Sequence, residues 1–351
     1  MIQNDYYSQD MHGPYELISI GALELEEGGT IPDCRLAVVT HGTLNARKDN
    51  AILVPTWYSG TSKIIEQVYI GKGHALDPDK YFIVQINQIG SGLSSSPHNS
   101  DGAIAMERFP RVRIGDDVRA QQRLLSQQFG IEKLALVVGG SMGAQQTWEW
   151  AVRFPDRVLR AAPIGGTAKN SEHDYLFAET LIEAIVTDPN FKGGRYAASY
   201  DVIDGLRRHA KLWTVMGWSV DFFREGRHRV LGFDSVADFV ERFMVGYFGP
   251  MDANDLLCMA WKWQRGDVSR HAGGDLAAAL ARVRAKMYVM PISHDMFFPP
   301  EDCRREQRLV AGSELRVLDS IDGHFALLGT DPAMVAQVDG HLAELLATPA
   351  G

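Results

Sequence analysis

Cysteine is scarce in this chain of 351 residues: the three present, Cys34, Cys258 and Cys303, are scattered and odd in number. They supply neither a disulfide framework nor a metal-ligand spacing, so a reducing cytoplasm is the compartment that fits. Long apolar runs are missing too. No stretch approaches the ~18 residues a membrane span requires, and the N-terminus MIQNDYYSQDMHGPYELISI lacks a basic region followed by an apolar one. Neither an anchor nor an export signal is expected. Positive charge is outnumbered, with 35 Lys and Arg against 44 Asp and Glu and a net charge of -9. That balance argues against nucleic acid or an anionic membrane as the main partner. The local basic stretches, Arg207, Arg208, His209 and Lys211, then Arg224, Arg227, His228 and Arg229, read as solvated helix faces. There is no internal repeat and no low-complexity segment.

What is present is the composition of a globular protein, 45% hydrophobic and 23% charged, with enough apolar surface for a sizeable core. Up to about residue 165, short β-branched runs alternate with helical patterns, which predicts a parallel sheet wound with helices. CRLAVVTHG, NAILVPTW, YFIVQINQI, KLALVVGG and VLRAAPIGG read as strands, with helices through 117–129 and 142–154. From 166 to 280 the segments turn helical and rich in Trp and Met, with no clear strand. Trp213, Met216, Trp218, Met244, Met259, Trp261 and Trp263 read as core rather than as a cofactor box, because large side chains dominate buried area. The α/β pattern returns with KMYVMPIS, ELRVLDSI and a final helix whose Met334, Val338, Leu342 and Leu345 share a face. The expected organisation is an α/β core domain, 1–165 and 281–351, with a helical lid inserted at 166–280.

Gly139, Gly140, Ser141, Met142 and Gly143 form G-x-S-x-G. Alone the motif is weak, since average Gly and Ser usage would produce it by accident in roughly one chain in ten of this length. Its context strengthens it: an apolar strand precedes it and a helix follows, so Ser141 is expected on a sharp turn with its hydroxyl exposed. Residues 139 and 143 need to be small, because a side chain at either would clash in so tight a turn. The helix starting at Met142 directs unpaired backbone N–H groups at the reacting carbon.

A serine hydroxyl needs a histidine base, and that base needs a carboxylate to fix its tautomer. Strand-to-helix turns of this type are followed by the acid and then the histidine. KMYVMPIS runs into His294 and Asp295, and ELRVLDSI into Asp322, Gly323 and His324, both just past a strand's C-terminal end, where open α/β sheets place their sites. Only His324 among the eleven histidines has this placement. His341 falls in the final helix, and His294 would point away from its neighbour Asp295. Asp322 is the rival acid but stands too close in sequence to reach behind the His324 ring, which favours Asp295. One oxyanion donor is the Met142 N–H; the second belongs to the loop Thr56, Trp57, Tyr58, Ser59 and Gly60. GSGLSSSPHN (90–99) lacks the Gly-Lys-Ser/Thr ending of a phosphate loop and reads as a flexible loop near the pocket mouth.

THGTLNARKDNAILV, ALDPDKYFIV, VVGGSMGAQQTWEWAVRFPDRV, DPNFKGG and the run Asp295 to Pro299 together resemble the homoserine O-acetyltransferase family of the α/β-hydrolase fold over nearly the whole chain. The resemblance implies an α/β-hydrolase fold, a triad of Ser141, Asp295 and His324, and backbone oxyanion donors at Tyr58 and Met142. It also implies a homodimer packed through the lid. Two departures stand out. The transferases carry an Asp after the catalytic His and a lid Arg for homoserine; here those positions hold Phe325 and Ala210, with Arg207 and Arg208 nearby. Losing both charges removes amino-acid recognition. The likeness is therefore to the family's ester-hydrolase branch, acting on small esters such as alkyl acetates, with Trp57 and Phe325 as candidate substrate contacts. No metal or organic cofactor is required. The alternatives are an O-acyltransferase using acetyl-CoA, in which an alcohol replaces the attacking water, and a non-catalytic binding protein.

Overall fold

The structure is a computed structural model that describes residues 2–349. Eight strands form one sheet: β1 (Glu16–Ser19), β2 (Arg35–His41), β3 (Ala51–Pro55), β4 (Phe82–Ile86), β5 (Leu136–Gly140), β6 (Arg160–Ile164), β7 (Lys286–Val289) and β8 (Glu314–Leu315). Their order is β1-β2-β4-β3-β5-β6-β7-β8. β2 pairs antiparallel with both β1 and β4, and every later pair is parallel. Each residue of β3, β4, β5 and β6 is buried. This is why those strands read as near-continuous apolar runs, broken only by Gln85 in β4 and Arg160 at the start of β6: helices cover both faces of the sheet.

Alternation along the strands divides the core in two. Leu53, Val137 and Ala161 face one side, with Val118 and Leu124 of α2 (Ile114–Leu124) and Trp148 and Trp150 of α3 (Met142–Arg153). Ile52, Val54, Leu136, Val138 and Ala162 face the other. There they meet Ile65 and Tyr69 of α1 (Ser62–Tyr69) and the Met334, Val338, Leu342 and Leu345 face of the C-terminal helix at Pro332–Ala347.

Between Ile164 and Lys286 the described residues form helices and no strand. α4 (Glu172–Val186), α5 (Ile203–Gly217) and α6 (Ala253–Gln264) pack with Phe177, Trp213 and Trp263 inward, while Tyr175 is exposed. Trp213, Trp218, Met244, Met259 and Trp263 are buried core, as the sequence suggested. Trp261 is half-buried, its ring covered by the Arg265 guanidinium 4.3 Å away. Among the described residues no helix is long and apolar enough to cross a membrane.

Several expectations are corrected. ELRVLDSI forms only a two-residue strand, because β8 lies at the sheet edge and pairs on one side alone, with an isolated bridge Ile292–Leu318 beyond it. α2 starts at Ile114 rather than at 117, since the Asp116 carboxylate accepts the Arg113 N–H at 2.8 Å and caps the helix earlier. The basic stretches are not simply solvated faces. His209 and His228 are buried, and Arg227 pairs with the buried Asp322. Nor is 90–99 a free loop at a mouth: Ser94 and Ser96 are buried, and Ser94 Oγ donates to Asn87 O at 2.6 Å while accepting the Ala37 N–H at 2.9 Å. Serine hydroxyls there satisfy backbone groups, which lets a polar loop be buried.

Candidate active site

Ser141 closes β5 with φ 53° and ψ −122°, a left-handed position that costs a non-glycine residue about 1–3 kcal/mol. The turn persists because its neighbours leave no alternative. A Cβ on Gly139 would lie 2.5 Å from the Gly143 backbone, and one on Gly143 would lie 2.6 Å from Pro55 O. The strained serine is thereby held at the C-terminal edge of the sheet, at the N-terminus of α3.

His324 Nε2 lies 2.9 Å from Ser141 Oγ, and His324 Nδ1 lies 2.7 Å from Asp295 Oδ2. Asp295 Oδ1 accepts the backbone N–H groups of Phe297 at 2.9 Å and Phe298 at 3.1 Å. With its carboxylate fixed in this way, Asp295 takes the Nδ1–H of His324 and leaves Nε2 free to accept the serine proton. All three side chains are buried. The rivals are engaged elsewhere. Asp322 accepts from Arg227 Nε at 3.0 Å and from Thr330 Oγ1 at 2.8 Å, and His294 turns its Nε2 toward Asp221 at 3.3 Å. His341 is half-buried in the C-terminal helix.

The loop after β3 lies against the start of α3, where Gln146 Nε2 and Gln88 Nε2 both donate to Thr56 O, at 3.0 and 2.7 Å. Tyr58 and Trp57 follow, both buried. The Trp57 indole covers Gly60, where a Cβ would overlap it, and approaches Gly140. Met142 contributes the first amide of α3, one of the four a helix leaves unpaired. An aromatic wall surrounds the histidine: Phe297, Phe298 and Trp213 lie with ring centroids 5.1, 5.7 and 6.5 Å from it. Phe325 extends this wall, 5.6 Å from Trp213 and 5.2 Å from Trp218. Ala210 is buried. Arg207 pairs with Glu241 at 2.5 Å, and Arg208 donates to Ala184 O at 3.0 Å, so neither arginine supplies a charge to this wall.

Sequence reasoning missed buried polar features, three of which lie near the centre of the fold or the site. Lys262 Nζ meets Asp117 Oδ2 at 2.5 Å and Ile89 O at 2.6 Å with no solvent exposure; the only hint was a lysine between two tryptophans of an apolar helix. Glu306 receives the Ala168 and Lys169 amides at 2.6 and 3.0 Å, fixing the loop after β6, and burial pushes its carboxyl up to about 8. His209 sits among the aromatics, and burial depresses its imidazole to about 3. Among the described residues no group of three or more His, Cys, Asp or Glu side chains is arranged to hold a metal ion.

A model of the alpha/beta hydrolase fold matches residues 58–200. The chain is similar to an ethyl acetate hydrolase of Pseudomonas veronii, 66% identical over 347 residues and covering 99% of each chain. It also resembles the crystal structure of an acetylester hydrolase from Corynebacterium glutamicum, with a TM-score of 0.98 and 58% identity over 99% of this chain and 100% of that one. A homoserine O-acetyltransferase of Thermobifida fusca is 33% identical over 358 residues, covering 93% of this chain and 91% of the relative.

Proposed function

Because the chain belongs to the acetyl-esterase branch of the homoserine O-acetyltransferase family, within the α/β-hydrolase fold, we propose that it cleaves short-chain acyl esters such as alkyl acetates through a covalent ester on Ser141. It is a short-chain ester hydrolase; the residues assigned below are our reading of how it works. The observation that carries that reading is the unbroken relay from Ser141 Oγ through His324 to Asp295, at 2.9 and 2.7 Å.

Ser141 Oγ attacks the ester carbonyl as His324 Nε2 takes its proton, while the N–H groups of Tyr58 and Met142 hold the developing oxyanion. The C–O bond to the alcohol breaks and the alcohol leaves with the proton from His324. Water, deprotonated by the same nitrogen, attacks the acyl carbon and releases the acid and the free serine. Trp57 and Phe325 border the substrate. An acceptor side built from Phe325, Trp213 and Ala210 offers no partner for an ammonium or a carboxylate, which supports water over homoserine as the acceptor.

Residues 166–280 serve in this reading as a lid over the sheet edge, since Trp213 of that segment lies against the His324 ring. The exposed apolar side chains Leu176, Tyr200, Val215, Val220 and Val230 of the same segment support a homodimer formed through it; a monomer mass in light scattering would exclude this. A cytoplasmic location is supported by three free thiols.

The test is steady-state hydrolysis of ethyl acetate and p-nitrophenyl acetate, with and without homoserine, with Ser141→Ala as control. Turnover that needs Ser141 and ignores homoserine is expected. Negligible hydrolysis that rises with homoserine would overturn the reading in favour of acyl transfer.

A further inference from the structure

His209 is fully buried in α5, inside a cluster where a phenylalanine would fill the space without needing partners. Its imidazole is instead hydrogen-bonded on both sides. Nδ1 faces Leu181 O on α4 at 3.4 Å, which makes it the N–H donor, and Nε2 accepts the indole N–H of Trp213 at 3.1 Å. The Tyr58 hydroxyl stands 3.4 Å from the same Nε2 and donates to Leu256 O on α6 at 3.1 Å. The Tyr58 ring lies nearly parallel to the imidazole, with centroids 6.0 Å apart.

Trp213 and Tyr58 are the two residues that connect this imidazole to the reacting centre. Trp213 lies nearly parallel to the His324 ring at 6.5 Å and tilted beside Phe325 at 5.6 Å, centroid to centroid. The Tyr58 backbone is the oxyanion donor of the reading above, on which this inference rests. We infer that His209 is a positioning residue: its neutral Nε2 acceptor fixes the Trp213 indole, whose ring packs 5.2 Å from the Tyr58 ring, and so holds the base and the oxyanion loop in register. An indole N–H that loses its acceptor favours any turn or shift that finds it a new one, and misplacement of about 1 Å at a reacting centre costs up to about a hundredfold in rate.

The variants separate the acceptor from the bulk. His209→Gln keeps an acceptor near the Nε2 position, His209→Asn keeps only the polar group nearer the Nδ1 position, and His209→Leu keeps neither. Trp213→Phe keeps an aromatic ring but deletes the N–H. Each is read by thermal unfolding, by kcat and KM on p-nitrophenyl acetate, and by the rate at which an organophosphonate labels Ser141. The expected result is a tenfold to hundredfold loss (order of magnitude) in kcat and labelling rate for H209N, H209L and W213F, with KM within about threefold. H209Q is expected to restore both to within about threefold, and H209N/W213F to lose no more than either single variant. Should H209N or H209L fail to fold, W213F and H209Q decide alone. Labelling and kcat within about twofold of wild type in folded W213F, or H209Q as impaired as H209L, would overturn the inference and leave His209 a packing residue. Labelling needs no ester turnover, so a wild-type enzyme that is labelled but hydrolyses no acetate ester would count against the hydrolase reading, while the variants' labelling rates would still decide this one.

Discussion

Phe325 occupies the space that a side chain at Gly217 would fill: a Cβ on Gly217 would lie 2.2 Å from the Phe325 ring. The last residue of α5 and the residue after His324 are thus fitted to each other. The residue after His324 is thus a phenyl ring wedged against a glycine, Trp213 and Trp218.

Gly217→Ala is expected to push Phe325 out of that seat. Overpacking of this kind costs about 1–3 kcal/mol, and the displaced ring should also lower kcat/KM on short acetate esters. Gly217→Ala/Phe325→Leu should recover much of both. Thermal unfolding and ester kinetics on the three proteins test the fit; a harmless single variant would refute it.

Asp295→Asn is expected to lower kcat by about four orders of magnitude. The amides of Phe297 and Phe298 would keep the Asn oxygen on their side, leaving its NH2 to face His324 Nδ1 and forcing the opposite tautomer. Asp322→Asn should spare the chemistry, because Asp322 binds Arg227 and Thr330 instead. Burst and steady-state kinetics on both variants distinguish the two acids.

Lys262→Met strands the buried Asp117 carboxylate and should cost about 3–5 kcal/mol in urea unfolding. Lys262→Met/Asp117→Leu removes both charges and should regain part of that loss, since an apolar pair of similar volume avoids the charge-desolvation penalty while the Ile89 N–H loses its acceptor. A single variant with unchanged stability would contradict the pairing.

His209 makes stability fall in acid. Burial holds its folded imidazole near 3, whereas the unfolded chain takes up the proton below about 6.5. Between those values the unfolded state binds more protons, so this contribution is present above about pH 6.5 and is lost as pH falls toward 3. His209→Gln should therefore flatten the fall in Tm between pH 6.5 and 4. Parallel slopes in wild type and variant would show that His209 takes no part in it.

The candidate triad was legible because its signals are local. Ser141 sits between an apolar strand and a helix, with small residues at 139 and 143 that the tight turn needs, and Asp295 and His324 each follow a strand. β1 escaped notice because ELIS, exposed at three of its four positions, lacks the buried run of β3 to β6. ELRVLDSI reads as a longer strand than it forms, because its composition does not say that it lies at the sheet edge.

By itself the sequence determined the wound sheet, the helical segment between Ile164 and Lys286, and the chain order of serine, acid and histidine. These depend on periodicity and turn sterics over a few residues. Only the tertiary structure decided that Lys262 meets Asp117, that His209 joins Trp213 beside Tyr58, and that Gly217 admits Phe325. Each joins residues more than a hundred positions apart or, for His209 and Trp213, depends on which face of one helix is buried. A buried polar group is tolerated only where the fold brings it a partner, and no local pattern records which partner that will be.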